Sequence, residues 1–127
     1  MEREILGLMG AMNIKSEEKD NYVILRLKGQ IDIYNAGNLE QIIEAFAGRS
    51  GNSLKNIILD FKEVNYLDSS AIACLIKCEG LSKEESFGKN LILINLNDKL
   101  SDLFKLAKVD SLFNILGSEE EAKHFKE

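Results

Sequence analysis

Three residues, Asp68-Ser69-Ser70, stand at the head of an apolar run, and a serine hydroxyl in that place has three possible uses. It can attack a substrate, cap a helix, or accept a phosphoryl group. Attack needs a base beside the hydroxyl and a strained turn to present it. No Gly-x-Ser-x-Gly pattern surrounds Ser69, and the only histidine is His124, close to the C-terminus. A hydrolase is therefore disfavoured and the chain reads as a non-enzyme. Asp68 is a natural helix N-cap. A phosphoryl group on Ser69 would add about 1.5 to 2 negative charges where the free N–H groups and dipole of a helix start favour anions. The neighbouring carboxylate of Asp68 opposes part of that gain. The larger effect falls on any docked partner, because a hydroxyl can be buried in an interface and a phosphate cannot without matching cations.

Other chemistries find fewer residues. Cys74 and Cys78 lie four apart in a helical stretch, a spacing that suits disulfide geometry poorly, so they read as reduced core thiols. With one histidine they supply too few ligands for a metal site. No Gly-x-Gly-x-x-Gly and no P-loop occurs, and no cofactor is expected. The acidic run Glu119 to Glu121 reads as charge complementing a helix start.

These residues need a scaffold, and 127 residues suit one domain with one core. The chain is 45% hydrophobic and 29% charged, with a net charge of -5. That balance disfavours binding along a nucleic-acid backbone, which needs a clustered basic surface. No apolar run reaches the roughly 18 to 20 residues that span a bilayer. The stretch Met1 to Met12 carries Glu2, Arg3 and Glu4, unlike a secretory signal. The expected location is cytoplasmic, with no membrane partner.

Val23, Leu25 and Leu27 alternate with Ile24 and Arg26 and predict a strand from Tyr22 to Lys28, broken by Gly29. Met12 to Ser16 predicts a short strand pairing with it. Leu39, Ile42, Ile43 and Phe46 mark an amphipathic helix, capped near Asn35 and ended by Gly48. Asn56 to Phe61 reads as a buried strand and Leu67 to Leu81 as a helix beginning at Asp68. That helix is apolar nearly all round, through Ala71, Ile72, Cys74, Leu75, Ile76 and Cys78, so only its start, Asp68 to Ser70, is expected to be exposed. Leu91 to Ile94 predicts another buried strand. Leu100, Leu103, Phe104 and Ala107 predict a helix, and Leu112 to Leu116 a short edge strand. Ser118 with Glu121 forms a capping box before Ala122 and Phe125. Ile5, Leu8, Met9 and Met12 fall at helical spacing. The order predicts an α/β fold: one mixed, mostly parallel sheet of four to five strands covered by about four helices. Residues 13–127 form the domain, and residues 1–12 an N-terminal extension.

Leu67-Asp68-Ser69-Ser70-Ala71-Ile72, following the strand Ile57 to Phe61, resembles the signature of the anti-sigma factor antagonists of the STAS domain family. Leu27-Lys28-Gly29-Gln30-Ile31-Asp32 resembles the family's turn before its first helix. The resemblance runs from about Asn13 to Lys126 and implies a STAS-like single domain. It also implies a partner, an anti-sigma factor that is itself a serine kinase, whose capture releases a sigma factor. Ser69 is then the phosphorylated residue, and a serine phosphatase restores binding. ATP and magnesium belong to the kinase. The implied partner surface comprises Gly29, Asp32, Asp68, Ser69, Ser70, Ala71 and Ile72. Ala71 departs from the family, which often has glycine there. A second employer for the same fold is a transporter-associated or signalling scaffold without the phosphorylation switch.

Overall fold

Period-2 alternation sets the first strand pair. In the strand β2 (Met12–Glu18) of the computed structural model, Met12, Ile14 and Ser16 are buried while Asn13 and Lys15 face solvent. The structure describes residues 2–5, 12–49, 55–83 and 90–125. β2 runs antiparallel to β3 (Tyr22–Ile31), with Ile14 opposite Leu27. Lys19 N–H donates to Tyr22 O at 2.9 Å and closes the hairpin. The outer edge of β2 pairs antiparallel with β1 (Glu2–Ile5). The helical spacing of Ile5 to Met12 therefore misled: Ile5 ends β1 and Met12 opens β2, while Leu8 and Met9 lie outside the described residues. The backbone donors and acceptors along the edge of β2 find partners in β1.

Gly29 does not end β3. It sits inside the strand at φ 101°, in the region that costs side-chain-bearing residues about 1 to 2 kcal/mol. The chain turns through it and continues to Ile31. The parallel neighbour β4 (Asn56–Leu67) is twice the length that its apolar run suggests. Its core-facing residues are Ile57, Leu59 and Phe61, then Val64, then Leu67. The spacing passes from two to three because the register shifts twice: Arg26 pairs with Asp60 but Lys28 with Glu63, and Gly29 with Val64 but Gln30 with Tyr66. Each shift places an extra residue on β4.

β5 (Leu91–Ile94) and β6 (Asn114–Leu116) extend the sheet in parallel, giving the strand order β1-β2-β3-β4-β5-β6. The α/β fold is as expected, and the N-terminal segment adds a strand to the anticipated four to five. Helices α1 (Ala36–Arg49), α2 (Ser69–Ser82) and α3 (Asp98–Leu106) cover one face. Leu39, Ile43, Leu75, Leu100 and Phe104 meet Leu25, Leu59 and Leu93 there. α1 runs through Gly48 to Arg49 rather than stopping at the glycine. The short helix α4 (Glu119–Lys123) lies on the opposite face. Its Ala122, with Phe125, covers Tyr22, Ile24, Ile58, Ile92 and Ile94. This second cover explains why Tyr22 and Ile24 are as buried as Val23 and Leu25.

Candidate functional site

Parallel pairing of Ile31 with Leu67 brings two chain exits side by side. One leads into the turn Asp32 to Asn35 and the other into Asp68 and α2. Asp68 joins them. Its Oδ1 accepts from Ala71 N–H at 3.1 Å and caps α2. Its Oδ2 accepts from Ile33 N–H at 3.1 Å, and its own N–H donates to Ile31 O at 3.2 Å. One carboxylate thus fixes the helix start against the turn. The turn also closes on itself. Asp32 Oδ1 accepts from Tyr34 N–H, and Asn35 Oδ1 accepts from Asp32 N–H, both at 2.9 Å. Asn35 Nδ2 donates to Gln30 O at 2.9 Å. The expected cap near Asn35 is of another kind: its carbonyl accepts from Leu39 N–H, while its side-chain oxygen points back to Asp32.

Asp32, Asp68, Ser69 and Ser70 are brought together at this corner. Ser69, in the first turn of α2, is exposed and Ser70 half-buried. Gly29 sits deeper in the sheet, between Met12 and Val64. Ala71 is fully buried at 0% and Ile72 nearly so at 8%. These two pack beneath the corner, so direct contact of Ala71 with a partner is ruled out by its burial.

α2 exposes more than its start. Ser69, Ala73, Ile76, Lys77 and Gly80 form a solvent-facing stripe down the helix, because the sheet and α1 cover only one side of it. Lys77 Nζ lies 2.8 Å from Glu40 of α1. On the buried side, Cys74 Sγ donates to Ala36 O at 3.2 Å. Cys78 is held well above the usual thiol range by its hydrogen bond with Cys74 and by burial. Both thiols are free, in keeping with their reading as core residues. Beside the corner, Ile33 is 68% exposed, Tyr34 86% and Tyr66 44%. The sequence reading did not single out these three. The signal was there for Ile33-Tyr34: two large apolar residues between turn formers have no strand or helix stripe to join.

The opposite face carries a different cluster. Arg26 donates to Glu17 through Nε and Nη2, to Asp60 Oδ2 at 2.9 Å and to Glu119 Oε1 at 2.9 Å. Tyr22 Oη donates to Glu119 Oε2 at 3.1 Å, and Asn95 Nδ2 to Asp60 Oδ1 at 2.9 Å. The hydrogen bond from Arg26 holds the Glu17 carboxyl below its ordinary range. Burial, then the Glu119 bond, raises the Tyr22 phenol. These residues fasten α4 to the sheet. His124 is exposed and 3.6 Å from Glu120. Among the described residues no group of His, Cys, Asp and Glu side chains could hold a metal ion, and no helix is long and apolar enough to cross a membrane.

The sequence profile of the STAS domain matches residues 13–122. The chain belongs to the STAS domain family. Among curated relatives of this STAS chain, the anti-sigma-B factor antagonist of Listeria monocytogenes is 27% identical over 114 residues, 87% of this chain and 95% of the relative. Two solved structures share the STAS fold at lower identity. An anti-sigma factor antagonist from Mycobacterium paratuberculosis superposes with a TM-score of 0.72 at 19% identity, covering 87% of this chain and 90% of that one. The murine anion transporter Slc26a9 superposes with a TM-score of 0.69 at 21% identity, over 84% of this chain and 18% of the transporter.

Proposed function

We propose that this STAS domain is a cytoplasmic anti-sigma factor antagonist without enzymatic activity or cofactor of its own. It captures an anti-sigma factor that is also a serine kinase and so releases a sigma factor. The docking face joins the Asp32 turn to the start of α2, with Ile33, Tyr34 and Tyr66 as apolar contacts. Asp32, Asp68, Ser69 and Ser70 form its polar part, and Gly29, Ala71 and Ile72 shape it from beneath. The kinase moves the γ-phosphoryl group of ATP to Ser69 Oγ and ends its own capture, and a serine phosphatase reverses the step.

The observation that carries this reading is the pair of hydrogen bonds that the Asp68 carboxylate accepts from Ala71 N–H and Ile33 N–H. It leaves the exposed Ser69 hydroxyl beside the seam between the two elements. A phosphate there adds about 1.5 to 2 negative charges next to an existing carboxylate. Interfaces bury hydroxyls readily but exclude an unpaired dianion. The likeness to the Listeria antagonist over nearly its whole length supports the partner class. The test incubates the chain with its cognate kinase and ATP and measures intact mass. One phosphate should be added, and Ser69→Ala should abolish it. Labelling that persists in Ser69→Ala overturns the site, and Ser69→Asp should weaken capture of the anti-sigma factor strongly.

The likeness to Slc26a9 favours a second reading, an interaction module in a transporter-associated or signalling scaffold complex. In that case Ser69→Asp leaves partner binding nearly intact.

A further inference from the structure

The open face of the sheet carries a cleft of about 420 Å³ over β2, β3 and β4. It exists because of the first register shift. Where β3 passes from Arg26 to Lys28, β4 passes from Asp60 to Glu63, and the extra residue leaves Lys62 and Glu63 both exposed. α4 covers only the Tyr22–Ile24 end of this face, so the cleft stays open. Its volume lies within the range of small-molecule sites.

Cations outnumber carboxylates among the side chains that line the cleft, the reverse of the chain as a whole. The net charge is -5, yet the cleft is lined by Lys15, Arg26, Lys28 and Lys62 against the two carboxylates Asp60 and Glu63. Asp60 is 5% exposed and already accepts from Arg26, Asn95 and Lys62 N–H. Glu63 meets Lys28 only at 3.9 Å, with both side chains more than 60% exposed. Such a pair contributes little and exchanges its partner at small cost. Glu17 and Glu119 hold Arg26 but do not line the cleft. Arg26 is spent on these carboxylates, and Lys28 and Lys62 are the adaptable cations of the cleft. Asn13 adds a neutral side-chain amide at the rim.

We propose that this cleft is a second binding site, for a small multivalent oxoanion such as a phosphate or diphosphate group. Lys28 and Lys62 bind its oxygens through charge-assisted hydrogen bonds. The site lies on the face of the sheet opposite α1, α2 and α3 and stands independently of the docking face.

The test is a titration of the full chain with sodium pyrophosphate at constant ionic strength, followed by amide NMR shifts. Saturable shifts confined to residues 13–15, 26–28 and 60–63 are expected, with a Kd of about 1 mM or tighter. The double variant Lys28→Ala/Lys62→Ala removes two exposed side chains and should keep the fold, checked by its thermal midpoint. It should weaken binding by about tenfold or more. Inorganic phosphate and an organic phosphate monoester, titrated in parallel, distinguish a free ion from the phosphoryl group of a larger molecule. Shifts that rise without saturating, that centre on Ser69 at the start of α2, or that persist unchanged in the double variant overturn the proposal.

Discussion

Replacing Asp68 separates the two jobs of its carboxylate. Asp68→Ala removes the N-cap of α2, at a cost of about 1 kcal/mol. It also leaves Ile33 N–H without its acceptor, which adds about 0.5 to 1.5 kcal/mol for a solvent-accessible bond to a charged group. The expected loss is about 1.5 to 2.5 kcal/mol, or a fall of roughly 5 to 10 °C in Tm for a domain of this size. Asp68→Asn keeps a good capping oxygen but has only one acceptor, so it loses the link to Ile33 and costs about 0.5 to 1.5 kcal/mol. Urea denaturation of both variants gives the stabilities. Amide hydrogen exchange at Ile33 and Ala71 reports the two bonds separately. Both amides should lose protection in the alanine variant, and only one in the asparagine variant. Equal stabilities for the two variants, or an Ile33 amide that exchanges as slowly in Asp68→Ala as in the parent, would refute the shared-carboxylate account.

Gly29→Ala should cost about 1 to 2 kcal/mol without changing the fold, because φ 101° burdens any side chain; a thermal midpoint equal to that of the parent contradicts this. Arg26→Gln leaves Glu17, Asp60 and Glu119 without their common cation and should destabilise by about 2 to 4 kcal/mol at neutral pH, measured by denaturant midpoint. Because Glu17 titrates below its ordinary value of 4.5 in the folded chain, the stability it contributes is present above that value. It is lost as pH falls through the lower folded pKa. The acid limb of the stability curve should accordingly be shallower in Arg26→Gln than in the parent. Cys74 and Cys78 should resist iodoacetamide at pH 8 in the folded chain and react on unfolding, since both are buried and the Cys78 thiol is raised; rapid native labelling of either contradicts their placement.

The start of α2 was legible because its signal is local: Asp68 precedes an apolar run, and a cap acts over three residues. The Met12–Ser16 strand and the edge strand near Leu116 followed from alternation and position. β4 was read at half its length because its two register shifts turn a period of two into a period of three, Phe61-Val64-Leu67, a spacing that an alternation test rejects. The exposed stripe of α2 was hidden for a related reason. Ala73 and Ile76 do not differ in type from the buried Ala71 and Ile72, and only the position of α1 and the sheet decides which side is covered. The Arg26 cluster joins residues 9, 34 and 93 positions apart, beyond any local pattern. The bond from Asp68 to Ile33 spans 35 positions and depends on Ile31 pairing with Leu67.

The seam held by Asp68 also determines what form of the chain can be recognised there. A peptide copying Val64 to Leu75 would carry Asp68, Ser69 and Ser70 in the right order. It would lack the turn that Asp68 grips, and so short a segment is a marginal helix in water. Asp68 and Ile33 are adjacent only as parts of a folded sheet. A protein that reads this corner reads a shape drawn from two distant stretches of chain, and unfolding erases that shape while leaving the motif intact. Competing for such a reader calls for a rigid scaffold carrying both loops, not for a linear mimic of either.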